Sequence, residues 1–488
     1  MQFDSSLRLL KGFHRARVLV IGDVMLDRFV YGAVERISPE APIPVVRVER
    51  TADMPGGAAN VARNLADLGG RVILVGVVGR DPTADDLSER LAALPTIEAR
   101  LIADHSRPTS LKTRYVADGQ QVMRADRESC EPVTATVARR LAEALEAAVA
   151  EADIVVLSDY AKGVLTDDVT RAAIEAARRA GKRVIVDPKS KQLAKYRGAS
   201  VITPNRLELK EASGQECATP AQVAAAGRRF LDERLCESLV VTLGKDGMSV
   251  IEGDEAAFYL PTAARQVFDV SGAGDTVVAA LALGLAAGGD LVEAAHLANV
   301  AAGLVVAKRG TATVTTGEIM GALAPGGTDP SKLFSLDTVR SMVRAWRSDG
   351  LKVAFTNGCF DLLHPGHISL LDQARHAADR LVVGINADIS VSRLKGPNRP
   401  VQSEVARAIV LSAIKSVDAV VIFTEDTPLE LIEMLEPDVL VKGADYTLET
   451  VVGAQFVRGR GGRVVLVELL GGYSTTETVR RVAGTASG

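Results

Sequence analysis

Two successive series of short apolar runs, each alternating with helix-like patterns, constrain the fold of this chain most. In the first series, "RVLVIGD" (17–23) precedes "GAANVARNLADLG" (57–69) and then "RVILVGVVG" (71–79), and such pairs continue to about residue 308. Short β-rich runs that alternate with helices are typical of a parallel sheet with helices packed on its faces. The sequence therefore predicts an α/β fold for this half.

Two β-rich segments interrupt this alternation. "APIPVVRVE" and "SLKTRYVADGQQVMRAD" place extended segments after one another without a helix between them. Consecutive strands of this kind form hairpins, and we expect them to build a small β lid on the first domain.

The pattern breaks between about residues 310 and 335, where Gly, Pro, Ser and Thr replace the long apolar periods. A second βα series then begins at "LKVAFTNG" and runs through "DRLVVGINAD", "VDAVVIFTED", "PDVLVKGADY" and "GRVVLVELL". A chain of 488 residues exceeds the usual size of a single core. We predict a first α/β domain at 1–325, a linker with a connecting helix at 326–349, and a smaller Rossmann-like α/β domain at 350–488.

Charge, cysteine content and hydropathy exclude several classes. The 57 basic and 61 acidic side chains give a net charge of −4, which does not favour a broad nucleic-acid surface. The four cysteines are far apart, which favours a reducing compartment. The most apolar helical stretch falls short of the roughly 20 residues that span a bilayer. We expect a cytoplasmic enzyme with neither nucleic acid nor a membrane as partner.

A glycine-rich loop leads into an apolar helix in "FDVSGAGDTVVAALALGLAAG". Gly272, Ala273 and Gly274 allow backbone N–H groups at a helix start to approach a phosphate closely. Asp275 follows directly, and it either accepts a proton from an attacking hydroxyl or merely caps the helix. No Lys follows the glycines, so this is not the common phosphate-binding loop of nucleoside triphosphatases.

Three further stretches, taken with this loop, resemble the ribokinase-like carbohydrate kinases over about residues 14–318. They are "VIGDVMLD", "MPGGAANVARNLADLGG" and "VITPNRLELKEA". The resemblance implies that Asp275 is the catalytic base and that Gly272, Ala273 and Gly274 form the anion hole. One departure is that Val270 and Ser271 stand where the family usually has two threonines.

The resemblance also implies the ligand contacts of this domain. Sugar hydroxyls are expected at Asp23, Gly57 and Asn60. ATP, with Mg²⁺ near Glu208, is expected at Asn205, Arg206, Leu207, Glu208, Thr242, Gly244, Gly247 and Asn299. If the acceptor sugar is itself phosphorylated, we expect its phosphate group to bind Lys112, Arg114 and Lys189, with Lys191 nearby. Each of these cations is equally well explained as an ordinary solvated side chain.

In the second half, "FTNGCFDLLHPGHISLL" places His364 and His367 three residues apart. A metal site would need further ligands, and the candidates are only Cys359 in the same stretch and His376, the one other histidine of this half. A buried structural histidine is another interpretation. Since Pro365 suits the first turn of a helix, the two rings are also well placed to border free helix amides, which bind phosphate.

This stretch and "GGYSTTETVRR" resemble the two signatures of the cytidylyltransferase-like nucleotidyltransferases over about residues 350–488, with Tyr473 replacing the usual Ile. The resemblance implies catalytic roles for His364, His367 and Lys395. Nucleotide contacts are expected at Gly358, Phe360, Arg399, Lys442, Ser474, Thr475 and Thr476.

Together the two halves resemble the bifunctional heptose 7-phosphate kinases and heptose 1-phosphate adenylyltransferases of Gram-negative bacteria. This resemblance implies ATP and Mg²⁺, heptose 7-phosphate and heptose 1-phosphate as substrates, and a homodimer. The residues themselves do not distinguish ATP from CTP at the second site. They also leave open another sugar or polyol phosphate, and a catalytically silent nucleotide sensor in the second half.

Overall fold

A computed structural model of the chain describes a defined set of residues. These are residues 2–117, 120–189, 193–253, 256–264, 267–308, 310–323, 332–334, 336–396, 399–444, 447 and 450–468. The chain divides into two compact units, Met1–Thr316 and Gly317–Gly488.

The first unit contains helices and strands in alternation. Its strands are β1 Arg17–Gly22, β2 Val24–Ile37, β3 Pro44–Gly57, β4 Arg71–Val78, β5 Ile97–Ala103, β6 Ser110–Ala117, β7 Gln120–Arg127, β8 Ile154–Ser158, β9 Arg183–Asp187, β10 Ala199–Ile202, β11 Cys236–Thr242, β12 Met248–Glu252 and β13 Phe258–Leu260. Its helices are α1 Gln2–Gly12, α2 Ala58–Asp67, α3 Pro82–Ala92, α4 Ala135–Glu151, α5 Asp167–Arg179, α6 Arg206–Ser213, α7 Pro220–Asp232, α8 Ala273–Ala286 and α9 Leu291–Val305.

The main sheet of this unit has nine strands in the described part of the chain, in the order β13-β12-β11-β10-β9-β8-β1-β4-β5. From β11 to β5 the pairs are parallel, while β12 and β13 run antiparallel at one edge. Every residue of β8 is buried, as its continuous apolar run predicts for a strand covered on both faces. The carboxyl ends of β1, β8 and β9 lie side by side and present polar residues at one edge.

The segments predicted to build a lid form a separate four-stranded sheet, in the order β3-β2-β6-β7. β2 pairs antiparallel with β3 and parallel with β6. β7 is the edge strand next to β6 and runs antiparallel to it. We call this the lid sheet. All residues of β7 are exposed, whereas the end of β3 at Gly56 and Gly57 is buried.

The second unit is built on a smaller sheet. Its elements are α10 Thr316–Leu323, α11 Leu336–Ser348, β14 Val353–Gly358, α12 Pro365–His376, β15 Arg380–Asn386, α13 Asp388–Lys395, α14 Glu404–Ser412, β16 Ala419–Phe423, α15 Leu429–Leu435, β17 Val439–Gly443, α16 Ala454–Gly459 and β18 Arg463–Val467. The described strands form a parallel sheet in the order β16-β15-β14-β17-β18.

Helix α11, expected to connect the domains, packs on this sheet. Val339 and Val343 are buried in one cluster with Val353 and Phe355 of β14. The predicted fold class, an α/β kinase-like domain with a β lid followed by a smaller Rossmann-like domain, is confirmed. None of the described helices combines the length and apolar character that crossing a bilayer requires.

Candidate active sites

The glycine loop of the first unit opens directly into α8. Gly272 caps the helix with φ +80°, a left-handed conformation that favours glycine. The Asp269 carboxylate holds the loop, since it accepts hydrogen bonds from the N–H groups of Ser271 (2.9 Å) and Gly310 (3.1 Å). The loop therefore presents the start of α8 to a cavity that Gly272 and Gly274 line.

Asp275 lies in the first turn of α8 and is only 6% exposed. One carboxylate oxygen accepts a hydrogen bond from Asn60 Nδ2 (2.5 Å), and the other accepts one from Tyr160 Oη (2.5 Å). Burial raises the pKa of Asp275 to about 6, although both hydrogen bonds lower it. The carboxylate is therefore ionised at neutral pH and close to protonation just below it.

The cavity beside Asp275 has a volume of about 200 Å³ and a strongly acidic lining. Asp159, Asp187 and Glu208 all contribute to it, and Lys189 supplies a positive charge. Burial raises the pKa of Asp187 well above its usual range, and the nearby charges of Asp275 and Glu208 raise it further. Asp159 is paired with Lys195, so Asp187 and Glu208 are the lining carboxylates that could bind a cation shared with nucleotide phosphates.

Two of the predicted sugar contacts have protein partners. The Asp23 carboxylate accepts hydrogen bonds from the backbone N–H groups of Tyr160 (2.8 Å), Lys162 (3.0 Å) and Val164 (3.1 Å), so it fixes the turn after β8. Asn60 donates to Asp275, while its Oδ1 has no hydrogen-bond partner among the described residues. Their contact with a sugar stays a prediction, as does that of Gly57, which caps α2 at φ +59°.

The predicted cations near the lid sheet differ in how they are paired. Arg114 forms an ion pair with the buried Asp27 (2.5 Å), and Lys189 pairs with Glu208 (3.1 Å). The ammonium of Lys112 lies 5.8 Å from the centre of the Tyr160 ring. Lys191 lies outside the described residues.

A larger and more apolar groove of about 650 Å³ adjoins the acidic cavity. Seven of the eight predicted ATP contacts line it, together with Val267, Val270 and Val306. These seven are Asn205, Arg206, Leu207, Thr242, Gly244, Gly247 and Asn299. The eighth, Glu208, lines the acidic cavity instead. An apolar groove that ends at a helix N-terminus suits a nucleoside whose phosphates point toward that helix.

Several of these side chains also hold local structure. Asn205 and Glu208 form a capping box at the start of α6, and Asn299 donates to the carbonyl of Pro261 (2.7 Å). Sequence reasoning missed Tyr160, Asp187 and Asp27. For the first two the signal was present, because polar residues at the ends of buried strands meet at the ligand-binding edge of a parallel sheet.

In the second unit, His364 is the N-cap residue of α12 and Pro365 begins the helix, as predicted. The rings of His364 and His367 stack with their centres 3.8 Å apart. Burial, followed by the charges of His364 and Lys395, lowers the pKa of His367 to about 4. His367 is therefore a neutral ring at physiological pH, and its Nδ1 has no hydrogen-bond partner among the described residues.

A cavity of about 460 Å³ lies at the carboxyl ends of β14, β15 and β17. Gly358, Phe360, His367, Lys395 and Lys442 line it, so the structure brings these predicted residues together. The hydroxyl of Thr356 and the amide oxygen of Asn357 are buried there without hydrogen-bond partners among the described residues. Such polar atoms in a cavity suit a polar ligand.

Arg399 differs from expectation. Its guanidinium forms an ion pair with the buried Asp361 (2.6 Å), which also accepts the N–H groups of Val401 and Gln402. A fully buried arginine that sequence reasoning missed, Arg407, bonds Asp388 at the start of α13 and the carbonyl of Cys359. A contact between Arg399 and phosphate stays a prediction.

The remaining expectations for this site are limited by what is described. Ser474, Thr475 and Thr476 lie outside the described residues. Within the described part of the chain, no three His, Cys, Asp or Glu side chains are grouped so that they could hold a metal ion by themselves.

Each half of the chain matches a known family. Residues 15–316 match the pfkB family of carbohydrate kinases, and residues 355–470 match the cytidylyltransferase-like family. The whole chain is 53% identical to "Bifunctional protein HldE" of Caulobacter sp. (strain K31), with 99% of each chain covered. It is 52% identical to the protein of the same name in Paramagnetospirillum magneticum, with 96% of each chain covered.

Solved structures are similar to the first unit. Arabidopsis thaliana ribokinase complexed with ribose and ATP is 21% identical with a TM-score of 0.50, over 63% of this chain and 98% of that one. Escherichia coli phosphofructokinase-2 in complex with potassium is 24% identical with a TM-score of 0.53, again over 63% and 98%. At this identity the likeness shows the fold.

Proposed function

The chain belongs to the family of bifunctional HldE proteins, and on that premise we propose that its two units catalyse two steps of ADP-heptose synthesis for the lipopolysaccharide core. The first unit phosphorylates D-glycero-β-D-manno-heptose 7-phosphate at C1 with ATP. The second transfers an adenylyl group from ATP to D-glycero-β-D-manno-heptose 1-phosphate, and it releases pyrophosphate. The C7 phosphate is removed by hydrolysis between these two steps. The sequence shows no third catalytic motif for that reaction, so we assign it to a separate phosphatase.

The kinase step depends on Asp275. The C1 hydroxyl oxygen attacks the γ-phosphorus of ATP, its proton passes to the Asp275 carboxylate, and ADP leaves. The anion hole of Gly272, Ala273 and Gly274 would stabilise the charge that builds on the migrating phosphoryl group, with Gly272 and Gly274 lining the cavity and the Ala273 N–H donating to the Val270 carbonyl. Because the pKa of Asp275 is about 6, the carboxylate is in the accepting form at neutral pH. This buried, doubly hydrogen-bonded carboxylate is the observation that carries the kinase assignment.

The transferase step needs alignment more than basicity. A phosphate oxygen of the sugar 1-phosphate is already anionic, and it attacks the α-phosphorus while pyrophosphate leaves. The neutral ring of His367 offers a hydrogen bond, and Lys395 and Lys442 supply positive charge beside the same cavity. His364 at the helix start completes the phosphate-binding face of α12.

When bound with ATP, Mg²⁺ would supply positive charge that neutralises part of the phosphate charge. The carboxylates of Asp187 and Glu208 are the groups of the first unit that would hold it. We place the kinase at 1–325 and the transferase at 350–488, on either side of the connecting segment. A cytoplasmic homodimer with ATP, heptose 7-phosphate and heptose 1-phosphate as partners completes the proposal. All four cysteines are free thiols, which supports a reducing compartment; they are Cys130, Cys217, Cys236 and Cys359.

One experiment tests both activities. The protein is incubated with Mg²⁺, either heptose 7-phosphate or heptose 1-phosphate, and either ATP or CTP, and the products are followed by phosphorus NMR. We expect a second sugar phosphate signal from heptose 7-phosphate with ATP. We also expect pyrophosphate and a nucleotide diphosphate sugar from heptose 1-phosphate with ATP. Pyrophosphate release with CTP alone would overturn the adenylyl assignment, and release with neither would indicate a nucleotide sensor.

A further inference from the structure

Tyr160 has no assigned role, yet its hydroxyl reaches the proposed base of the kinase reaction. Tyr160 Oη donates to Asp275 Oδ1, and Asn60 Nδ2 donates to Asp275 Oδ2, so each carboxylate oxygen has one protein donor. The two donors come from different parts of the fold, the turn after β8 and helix α2. Together they fix the plane of the carboxylate.

The turn that carries Tyr160 is itself held in place. The backbone N–H of Tyr160 donates to Asp23 at the end of β1, and the N–H groups of Lys162 and Val164 donate to the same carboxylate. Burial and the charge of Asp275 raise the pKa of the Tyr160 phenol, so it keeps its proton and is the donor in its hydrogen bond to Asp275. The phenol is thus a fixed and permanently protonated partner of Asp275.

The charges around Asp275 make this donor important. Asp27, on the lid sheet, opposes ionisation of Asp275, and Asp187, at the end of β9, carries a further acidic group beside it. Lys112 favours ionisation from the lid sheet. Burial and the charge of Asp27 disfavour the charged carboxylate, and the hydrogen bonds from Tyr160 and Asn60 are the largest effects that favour it.

We propose that Tyr160 is a positioning residue of the kinase reaction, whose hydroxyl orients the Asp275 carboxylate and keeps it ionised to accept the sugar proton. The proposal rests on the proposed role of Asp275 as the base. Its consequence is a specific pH dependence, because loss of the donor makes the carboxylate protonate at a higher pH.

The test compares Tyr160→Phe with wild type in the full chain, using heptose 7-phosphate, ATP and Mg²⁺ between pH 5.5 and 9. The ratio of kcat/KM values cancels the ionisation of both substrates, since it is the same in both proteins. Loss of a hydrogen bond to a carboxylate raises the pKa of that carboxyl group by about one unit or more. We expect the acid limb of the kcat/KM profile of Tyr160→Phe to shift to a higher pH by about that amount. The loss of kcat/KM relative to wild type should then be about tenfold or greater below pH 6 and should shrink toward pH 9.

Tyr196→Phe is the matched control, because Tyr196 is also a buried tyrosine and it donates to a different carboxylate of the same cavity, that of Asp159. Its ratio of kcat/KM to wild type should not change with pH.

A Tyr160→Phe ratio of kcat/KM to wild type that is flat across the pH range would overturn the proposal and indicate a packing role only. If Tyr160→Phe fails to fold, 3-fluorotyrosine in place of Tyr160 gives a stronger donor, and the acid limb must then move down. An inactive wild-type protein would overturn the proposed function, which separates that failure from this one.

Discussion

At the scale of single residues, burial moves two proposed catalytic groups toward their neutral forms, with opposite effects on charge. The pKa of the Asp275 carboxyl rises to about 6, and that of the His367 imidazole falls to about 4. Near pH 7.5 the carboxylate still ionises, whereas the imidazole stays uncharged. The kinase site therefore keeps the anion that proton acceptance needs, and the transferase site takes its positive charge from lysines.

This difference predicts how the transferase responds to acid. His367→Asn keeps a hydrogen-bonding side chain but cannot titrate. Because the folded pKa of His367 is about 4, wild type should keep a neutral ring from pH 8 down to about pH 5.5. We therefore expect His367→Asn to lower adenylyl transfer by a factor that is constant over this range, measured as pyrophosphate release. His376→Asn, at an exposed position on the same helix, should have no effect. A ratio that changes tenfold across the range would show that His367 acts as an imidazolium.

The sequence indicated which side chains lie at the two cavities better than it indicated their contacts. Asp275 and His367 line these cavities, and each lies within a short motif at a helix start. The hydrogen-bond partners of Asp275 could not be predicted, since Asn60 is 215 positions away, Tyr160 is 115 positions away, and only the fold brings them to Asp275. The family resemblance implied a sugar contact for Asp23, and the structure shows that its carboxylate accepts hydrogen bonds from three backbone amides.

At the scale of elements, the helices and the parallel strands followed from periodicity, whereas the pairing of the lid sheet did not. β2 pairs with β3 through a hairpin, which adjacent β-rich segments predict. β2 also pairs parallel with β6, although α2, β4, α3 and β5 lie between them along the chain. No local pattern encodes such a pairing, because its register depends on how the intervening units pack.

The N-cap residues of α6 and α7 allow an experiment to distinguish helix capping from nucleotide binding. α6 and α7 both begin with a capping box, from Asn205 and Thr219 respectively, but only Asn205 lines the proposed ATP site. Asn205→Ala and Thr219→Ala should each destabilise their helix by about 1 kcal/mol, seen as faster amide hydrogen exchange in that helix. Only Asn205→Ala should also raise the KM for ATP of the kinase. An equal KM for both variants would reduce Asn205 to a structural cap.

At the scale of the whole molecule, the two units have separate cores and separate candidate sites. The first core lies around β8 and β9, and the second lies around β14 and β15. The βα pattern stops and restarts, so the sequence indicates two α/β series, and the boundary between the two compact units lies between Thr316 and Gly317. The packing of α11 on the second sheet could not be predicted, since an amphipathic helix near a boundary can cover either neighbour.

Separate sites predict that the activities can be lost one at a time. Asp275→Asn removes the proton acceptor, so C1 phosphorylation should fall by about 10²–10⁴-fold while adenylyl transfer to supplied heptose 1-phosphate is unchanged. The double variant His364→Ala and His367→Ala should show the reverse. The two proteins, mixed with ATP, Mg²⁺ and a phosphatase that removes the C7 phosphate, should together produce ADP-heptose from heptose 7-phosphate. Equal loss of both activities in either variant would contradict independent sites, as would a mixture that stays inactive while each remaining activity is intact.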